Sequence, residues 1–248
     1  MRLDAFLSHN GFGSRKNVHA LLHEGRVRVN GKPAIFKNAH VDENRDEVFV
    51  DGAEVKNVSN VFLMMNKASG FVCDKKSRDN ESVFECLPEK YQTPFFEKNL
   101  HAVGRLDKDT EGLLLFTTDG KLSHALTSPK SNVEKKYLVR LQKAVSRDEK
   151  TRYERSVENG IEILREGKEA AFVSKPAKIF FVNDNECEII LREGKFHEVK
   201  RMFLALGNEV VFLKRLSIAC LSLDENLASG EVRELTNEEI AKLGFSYT

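Results

Sequence analysis

The segment Gly104-Arg105-Leu106-Asp107-Lys108-Asp109-Thr110-Glu111-Gly112-Leu113 crowds five charges beside an apolar run, with glycines near both ends. That composition fits a loop packed against a core. A carboxylate there can act as nucleophile, base or metal ligand, provided neighbouring cations keep it ionised. A free aspartate titrates near about 3.9, and an adjacent guanidinium lowers that value. Two further segments hold side chains able to complete such a site. Lys135-Lys136-Tyr137-Leu138-Val139 sets a ring beside two cations on a strand. Lys195-Phe196-His197-Glu198-Val199-Lys200-Arg201-Met202 spaces His197, Lys200 and Arg201 at i, i+3 and i+4, one face of a helix. Singly, each has a plainer reading: a structural loop, a core-filling tyrosine and a solvated charge stripe.

The elements that must position these residues follow from periodicity. Residues 112–118 are apolar and read as a strand, followed by a helix over 119–127 that Pro129 closes. Residues 135–141 form another strand, and Ser146 with Glu149 makes a capping box for a helix ending near Asn159-Gly160. Residues 178–182 and 188–191 flank the turn Asn183-Asp184-Asn185 as a hairpin. A helix is expected over 195–206, burying Phe196, Val199, Phe203 and Leu206 and ending at Gly207-Asn208. Thr236 and Glu239 make a last capping box, and residues 61–66 a further strand. The pattern lacks a regular strand–helix–strand rhythm and is that of an α+β protein on a mixed, mostly antiparallel sheet.

The first 58 residues read differently. Leu3, Phe6 and Leu7, then Val18, Leu21 and Leu22, give two short amphipathic helices separated by Gly11 and Gly13, the second capped by Ser14 and ended by Gly25. The strand Arg26-Val27-Arg28-Val29 puts both arginines on one solvent face before an Asn30-Gly31 turn. Glu47-Val48-Phe49-Val50 leads into a second turn at Asp51-Gly52, and residues 56–60 form a polar linker. A domain boundary is therefore expected at 58/59.

The net charge of +1 hides an uneven distribution: residues 1–40 carry seven Lys/Arg, two Asp/Glu and four histidines, whereas the rest sum to −4. A basic head on a near-neutral body suits a polyanion partner. With 41% apolar residues the chain is a folding one, and no run approaches the length of a membrane span. The N-terminus has no signal-peptide core, and Cys73, Cys86, Cys187 and Cys220 form no CxxC pair, so a cytoplasmic protein without disulfide or zinc is expected.

Taken together and in order, the three chemical segments resemble the pseudouridine synthases, in particular the branch that modifies bacterial ribosomal RNA. Residues 104–113 match every fixed position of that family's G-R-L-D-x-x-T-x-G-L motif, which puts its nucleophilic aspartate at Asp107. The resemblance assigns base stacking to Tyr137, packing on the uracil to Val199, and pairing with the catalytic carboxylate to Lys200. Arg105 would contact the displaced phosphate or fill the space of the flipped-out base. The head resembles an S4-type RNA-binding module, through Ser14-Arg15-Lys16 and Glu24-Gly25-Arg26-Val27-Arg28-Val29-Asn30-Gly31. The RNA-binding residues it implies are Arg2, Ser14, Arg15, Lys16, Arg26, Arg28 and Lys32. Implied, then, are an S4-like domain over 1–58 and a pseudouridine synthase domain over 59–248. No cofactor or metal is required. The expected partner is ribosomal RNA, free or in an assembly intermediate, with no membrane and a monomeric enzyme. Residues 195–202 resemble the small-subunit branch more than the large-subunit one. A large-subunit enzyme and a non-catalytic ribosome-assembly factor are the alternatives. Two positions depart from the family pattern: Ala68 stands where proline is usual, and Glu198 where glutamine follows the histidine.

Overall fold

The computed structural model describes residues 1–36, 39–42, 45–55 and 60–244; most of the linker expected at 56–60 lies outside them. The chain divides into two compact units, one of Met1–Val61 with Pro88–Leu100, the other of Phe62–Leu87 with the residues from His101 onward.

In the first unit, α1 (Leu3–His9) and α2 (Arg15–His23) cover a small sheet. Ser14 caps α2 by accepting from the Asn17 amide, and Gly25 (φ 69) turns the chain out of the helix. The sheet comprises β1 (Val27–Val29), β2 (Lys32–Pro33), β3 (Val48–Val50) and β4 (Ala53–Glu54), in the order β2-β1-β3-β4. Both turns form as expected: Asn30 and Gly31 have positive φ, as do Asp51 and Gly52. Leu3, Phe6, Leu7, Val18 and Leu22 close the core against Val27, Val48 and Val50. The segment Pro88–Leu100, which the sequence reading puts in the second domain, belongs to this unit, with a 3₁₀ turn at Glu89–Tyr91 and α3 at Pro94–Asn99.

The second unit is built on one large sheet. Its strands are β5 (Phe62–Lys67), β6 (His101–Val103), β7 (Glu111–Thr117), β8 (Lys135–Leu141), β11 (Lys178–Phe181), β12 (Glu186–Leu191), β13 (Val210–Ile218), β14 (Leu221–Ser222) and β15 (Val232–Glu234). A short separate hairpin pairs β9 (Glu162–Ile163) with β10 (Phe172–Val173). The main order is β11-β12-β8-β13-β7-β5-β15, and only β13 with β7 is parallel. The helices are α4 (Gly120–Thr127), α5 (Arg147–Asn159), α6 (Glu198–Ala205) and α7 (Asn237–Lys242). Capping by Asp119, Ser146 and Thr236 starts α4, α5 and α7. Phe62, Met64, Leu113 and Leu115 meet Leu122, Leu126 and Ile240 in a core on one face of the sheet.

Two expectations need correction. The helix expected over 195–206 begins only at Glu198, because His197 adopts a left-handed conformation (φ 49) at its N-cap. Phe196 is consequently 48% exposed and not part of the buried face, while Val199 and Phe203 are buried as expected. Arg201 is not on a solvated stripe. It is buried, donating to the carbonyls of Leu164 (2.6 Å), Ala170 (3.2 Å) and Phe196 (3.3 Å).

Candidate active site

The loop bearing Asp107 leaves β6 and enters β7, so the sheet anchors both its ends. Its interior is held by backbone groups. The Thr110 amide donates to the Asp107 carbonyl (3.1 Å), and the Gly70 amide to the Lys108 carbonyl (2.8 Å). Cys73 Sγ lies 3.3 Å from the Leu106 amide that donates to it. Beneath the loop Lys67 is fully buried, and its ammonium donates to the carbonyls of Thr110 (2.8 Å), Ala68 (3.0 Å) and Lys108 (3.2 Å). Burial pushes the Lys67 ammonium down from the usual lysine range, and the nearby carboxylates of Asp109, Asp107 and Glu111 oppose that. Ala68 contributes through its carbonyl, a contact that does not need the proline usual there.

The far end of the loop depends on glycine. Gly112 has φ +96, and a Cβ there would sit 2.3 Å from the Arg215 carbonyl oxygen across the parallel β7–β13 pairing. From β13, the buried Arg215 returns a bond, its Nε donating to the Leu113 carbonyl at 2.7 Å.

Asp107 faces the start of α6. Lys200 Nζ lies 3.3 Å from Asp107 Oδ2 and 2.5 Å from Asp109 Oδ1, and His197 Nε2 lies 3.8 Å from Asp107 Oδ1. Asp109 thus shares the lysine with Asp107. Partial burial raises the Asp109 carboxyl, but the hydrogen bond and charge of Lys200 outweigh it and hold it below the usual range. The left-handed turn at His197 aims its ring at Asp107. Its other nitrogen contacts Glu166 (3.2 Å), and Phe196 stacks on it with centroids 3.7 Å apart. Glu166 also faces Arg201 Nε at 3.5 Å. Lys67, Glu166 and the buried Arg201 were not singled out for these roles, since their partners are distant in sequence.

A cleft of ≈ 60 Å³ opens beside Asp107, lined by Arg105, Thr110, Tyr137, Leu191, Val199 and Leu213 among others. Tyr137 is buried on β8 at its base, Val199 forms one wall, and Arg105 is 75% exposed at the rim, 3.4 Å from Asp74. Thr110 adds a buried hydroxyl with no hydrogen-bond partner among the described residues. Of the five residues assigned to catalysis or base binding, Asp107, Arg105, Tyr137 and Val199 line this cleft, and Lys200 reaches it through its contact with Asp107. Its apolar walls suit a planar ring, and its carboxylate is served by cations from another element.

In the first unit, Arg15 and Lys16 are exposed on the opening turn of α2, and Arg28 and Lys32 are exposed on β1 and β2. Two of the cations assigned there are engaged by acids. Arg2 makes paired bonds to Asp4 (3.0 and 2.7 Å), and Arg26 does so to Asp51 (2.8 and 2.6 Å) and reaches Glu24 (3.1 Å). Ser14 is occupied in capping α2.

A mixed sheet whose central loop offers a lysine-paired carboxylate to a cleft walled in part by Tyr137, Leu191, Val199 and Leu213 has the layout of an enzyme that acts on a planar ring. Residues 61–205 match the RNA pseudouridylate synthase family and residues 1–35 the S4 domain family. The chain is 43% identical to an uncharacterized RNA pseudouridine synthase of Bacillus subtilis, over 97% of both chains. It is 40% identical to ribosomal small subunit pseudouridine synthase A of Pasteurella multocida, covering 97% of this chain and 98% of that one. A crystal structure of a pseudouridylate synthase aligns with TM-score 0.65 and 35% identity, over 98% of this chain and 99% of the other. The chain belongs to the RNA pseudouridylate synthase family, with an S4 domain at its N-terminus.

Proposed function

We propose that this isomerase converts a single uridine of small-subunit ribosomal RNA to pseudouridine, with Asp107 as nucleophile. The observation that carries the site assignment is the placement of the Asp107 carboxylate, 3.3 Å from the Lys200 ammonium, at a cleft based on the Tyr137 ring. The reaction breaks N1–C1′, turns the uracil, and joins C5 to C1′. The C5 proton is lost and N1 gains one, so nothing is oxidised and no group is imported. A carboxylate can both add and leave again. Addition at C1′, entry through the ribose and addition at C6 of the base are all compatible with its position.

The target base must leave its stack, at a cost of a few kcal/mol. Stacking on Tyr137 returns about 1–3 kcal/mol, and Val199 packs on the ring. Arg105, exposed and 3.4 Å from Asp74, takes a phosphate or the vacated space. The S4 unit supplies phosphate contacts from Arg15, Lys16, Arg28 and Lys32, with Arg2 and Arg26 joining if RNA displaces their carboxylates. Small-subunit rRNA as the substrate is supported by the relatives bearing that name, over nearly their full length. In this reading the enzyme acts as a cytoplasmic monomer on rRNA, free or in an assembly intermediate.

Asp107→Asn tests the site. Pseudouridine formation in rRNA should be abolished and RNA affinity nearly unchanged; a variant that still modifies RNA refutes the assignment. Mapping pseudouridine in both rRNAs with and without the enzyme tests the substrate, and a change confined to large-subunit rRNA overturns that part.

A further inference from the structure

Glu198, which lines the cleft, and Glu193 form a carboxyl pair to which the proposed reaction assigns no step. They are 4% and 8% exposed and hydrogen-bonded to one another at the start of α6. Two ionised carboxylates cannot share that bond, because neither has a proton to donate. The remaining contacts show which one carries it. Glu193 accepts from the Lys175 amide (2.6 Å) and lies 3.3 Å from the Lys195 ammonium, as an ionised group does. Glu198 Oε2 accepts from the Lys195 amide (2.9 Å), while its Oε1 is buried and has no donor among the described residues. An oxygen so placed is the one that bears a hydrogen.

We propose that Glu198 is a neutral carboxylic acid whose Oε1 proton bonds to ionised Glu193, and that this pair is a positioning device for the loop carrying His197 and the helix carrying Lys200. A carboxylic acid offers one donor and one acceptor, as the amide of glutamine does. This accounts for a glutamate where the family pattern leads one to expect glutamine. The pair ties residues 193–198 into a closed turn whose next residues face Asp107. The other charges around it are Lys195 on the same loop, Lys135 on β8, and, acting on Lys135, Arg215 on β13 and Lys175 from the segment before β11.

Burial, first, and the bond and charge of Glu193 push the Glu198 carboxyl up to about 8, while Lys195 opposes them. Its ordinary value is 4.5. The native state therefore keeps a proton that the unfolded chain gives up. Stability from this group is complete below about 4.5, falls as pH rises, and is lost by about 8. Above that, two buried negative charges repel and spread the turn.

The inference rests on Asp107 and Lys200 as the catalytic pair, and its tests separate the two ideas. Glu198→Leu should lower kcat about tenfold or more with KM little changed, and Glu198→Gln should recover most of that loss at neutral pH. The wild-type kcat should show an alkaline limb near 8 that Glu198→Gln lacks. Carboxyl-labelled glutamate NMR, with the Glu198 signal identified by its loss in Glu198→Gln, should show a protonated group at neutral pH. An ionised Glu198 there, an unchanged alkaline limb in Glu198→Gln, or a fully active Glu198→Leu overturns the proposal. The NMR titration needs no turnover, so it reports on Glu198 even if Asp107 proves not to be the nucleophile.

Discussion

At the residue scale, the site turns on one lysine serving two aspartates. Lys200 holds Asp109 at 2.5 Å and Asp107 at 3.3 Å, so its charge is fixed at the cleft while Asp107 keeps lone pairs free to react. Removing that charge takes away the cation best placed to steady a reacting carboxylate. Lys200→Met should lower kcat by about 10²-fold, measured by single-turnover pseudouridine formation. Asp109→Asn leaves Lys200 in place for Asp107 and should cost less than about tenfold in the same assay. A larger loss for Asp109→Asn than for Lys200→Met would mean that Asp109 takes part in the chemistry itself.

At the element scale, the loop is rigid because its two ends and its underside are all tied. β6 and β7 anchor the ends, and the buried Lys67 ammonium gathers three carbonyls from below. The tightest constraint is at Gly112, where β7 meets β13 in the one parallel pairing of the sheet. A methyl group there meets the Arg215 backbone at 2.3 Å, and the backbone has φ +96. Gly112→Ala should destabilise the protein by about 2 kcal/mol or more, read from the shift in urea midpoint. Activity should fall along with stability, since any relief moves the turn that carries Asp107.

At the scale of the whole molecule, the proposed chemistry and the proposed RNA affinity fall on different units. The cleft is built from the second unit alone, while the exposed Arg15 and Lys16 sit on the first. Reversing both charges, in Arg15→Glu/Lys16→Glu, should weaken RNA binding uniformly and reduce the salt slope of log K by about 2, with the single-turnover rate at saturating enzyme nearly unchanged. A filter-binding titration across salt concentrations checks it, and an unchanged slope would remove α2 from the RNA surface. Truncation after residue 58 is a poorer probe, because Pro88–Leu100 packs with the unit that would be removed.

Much of this protein was legible in the chain. Turns with paired positive φ, serine and threonine caps and period-2 strands are local, so Asn30-Gly31, Ser146 and residues 135–141 could be read directly. The loop bearing Asp107 could be picked out too, because its motif is contiguous. The less legible features depend on partners far away in sequence. β13 lacks a readable alternation, running Val210-Val211-Phe212-Leu213 into a buried Arg215 with two register shifts. The helix at 195–206 looked continuous until tertiary contacts held His197 left-handed, its ring between Asp107 and Glu166. Asp107, the Tyr137 ring and Lys200 were each visible in the sequence as residue types. Their coming together around Asp107, with Lys67 beneath and a carboxyl pair beside them, was decided by long-range packing, since no local propensity encodes a contact across 91 residues such as Lys200 to Asp109.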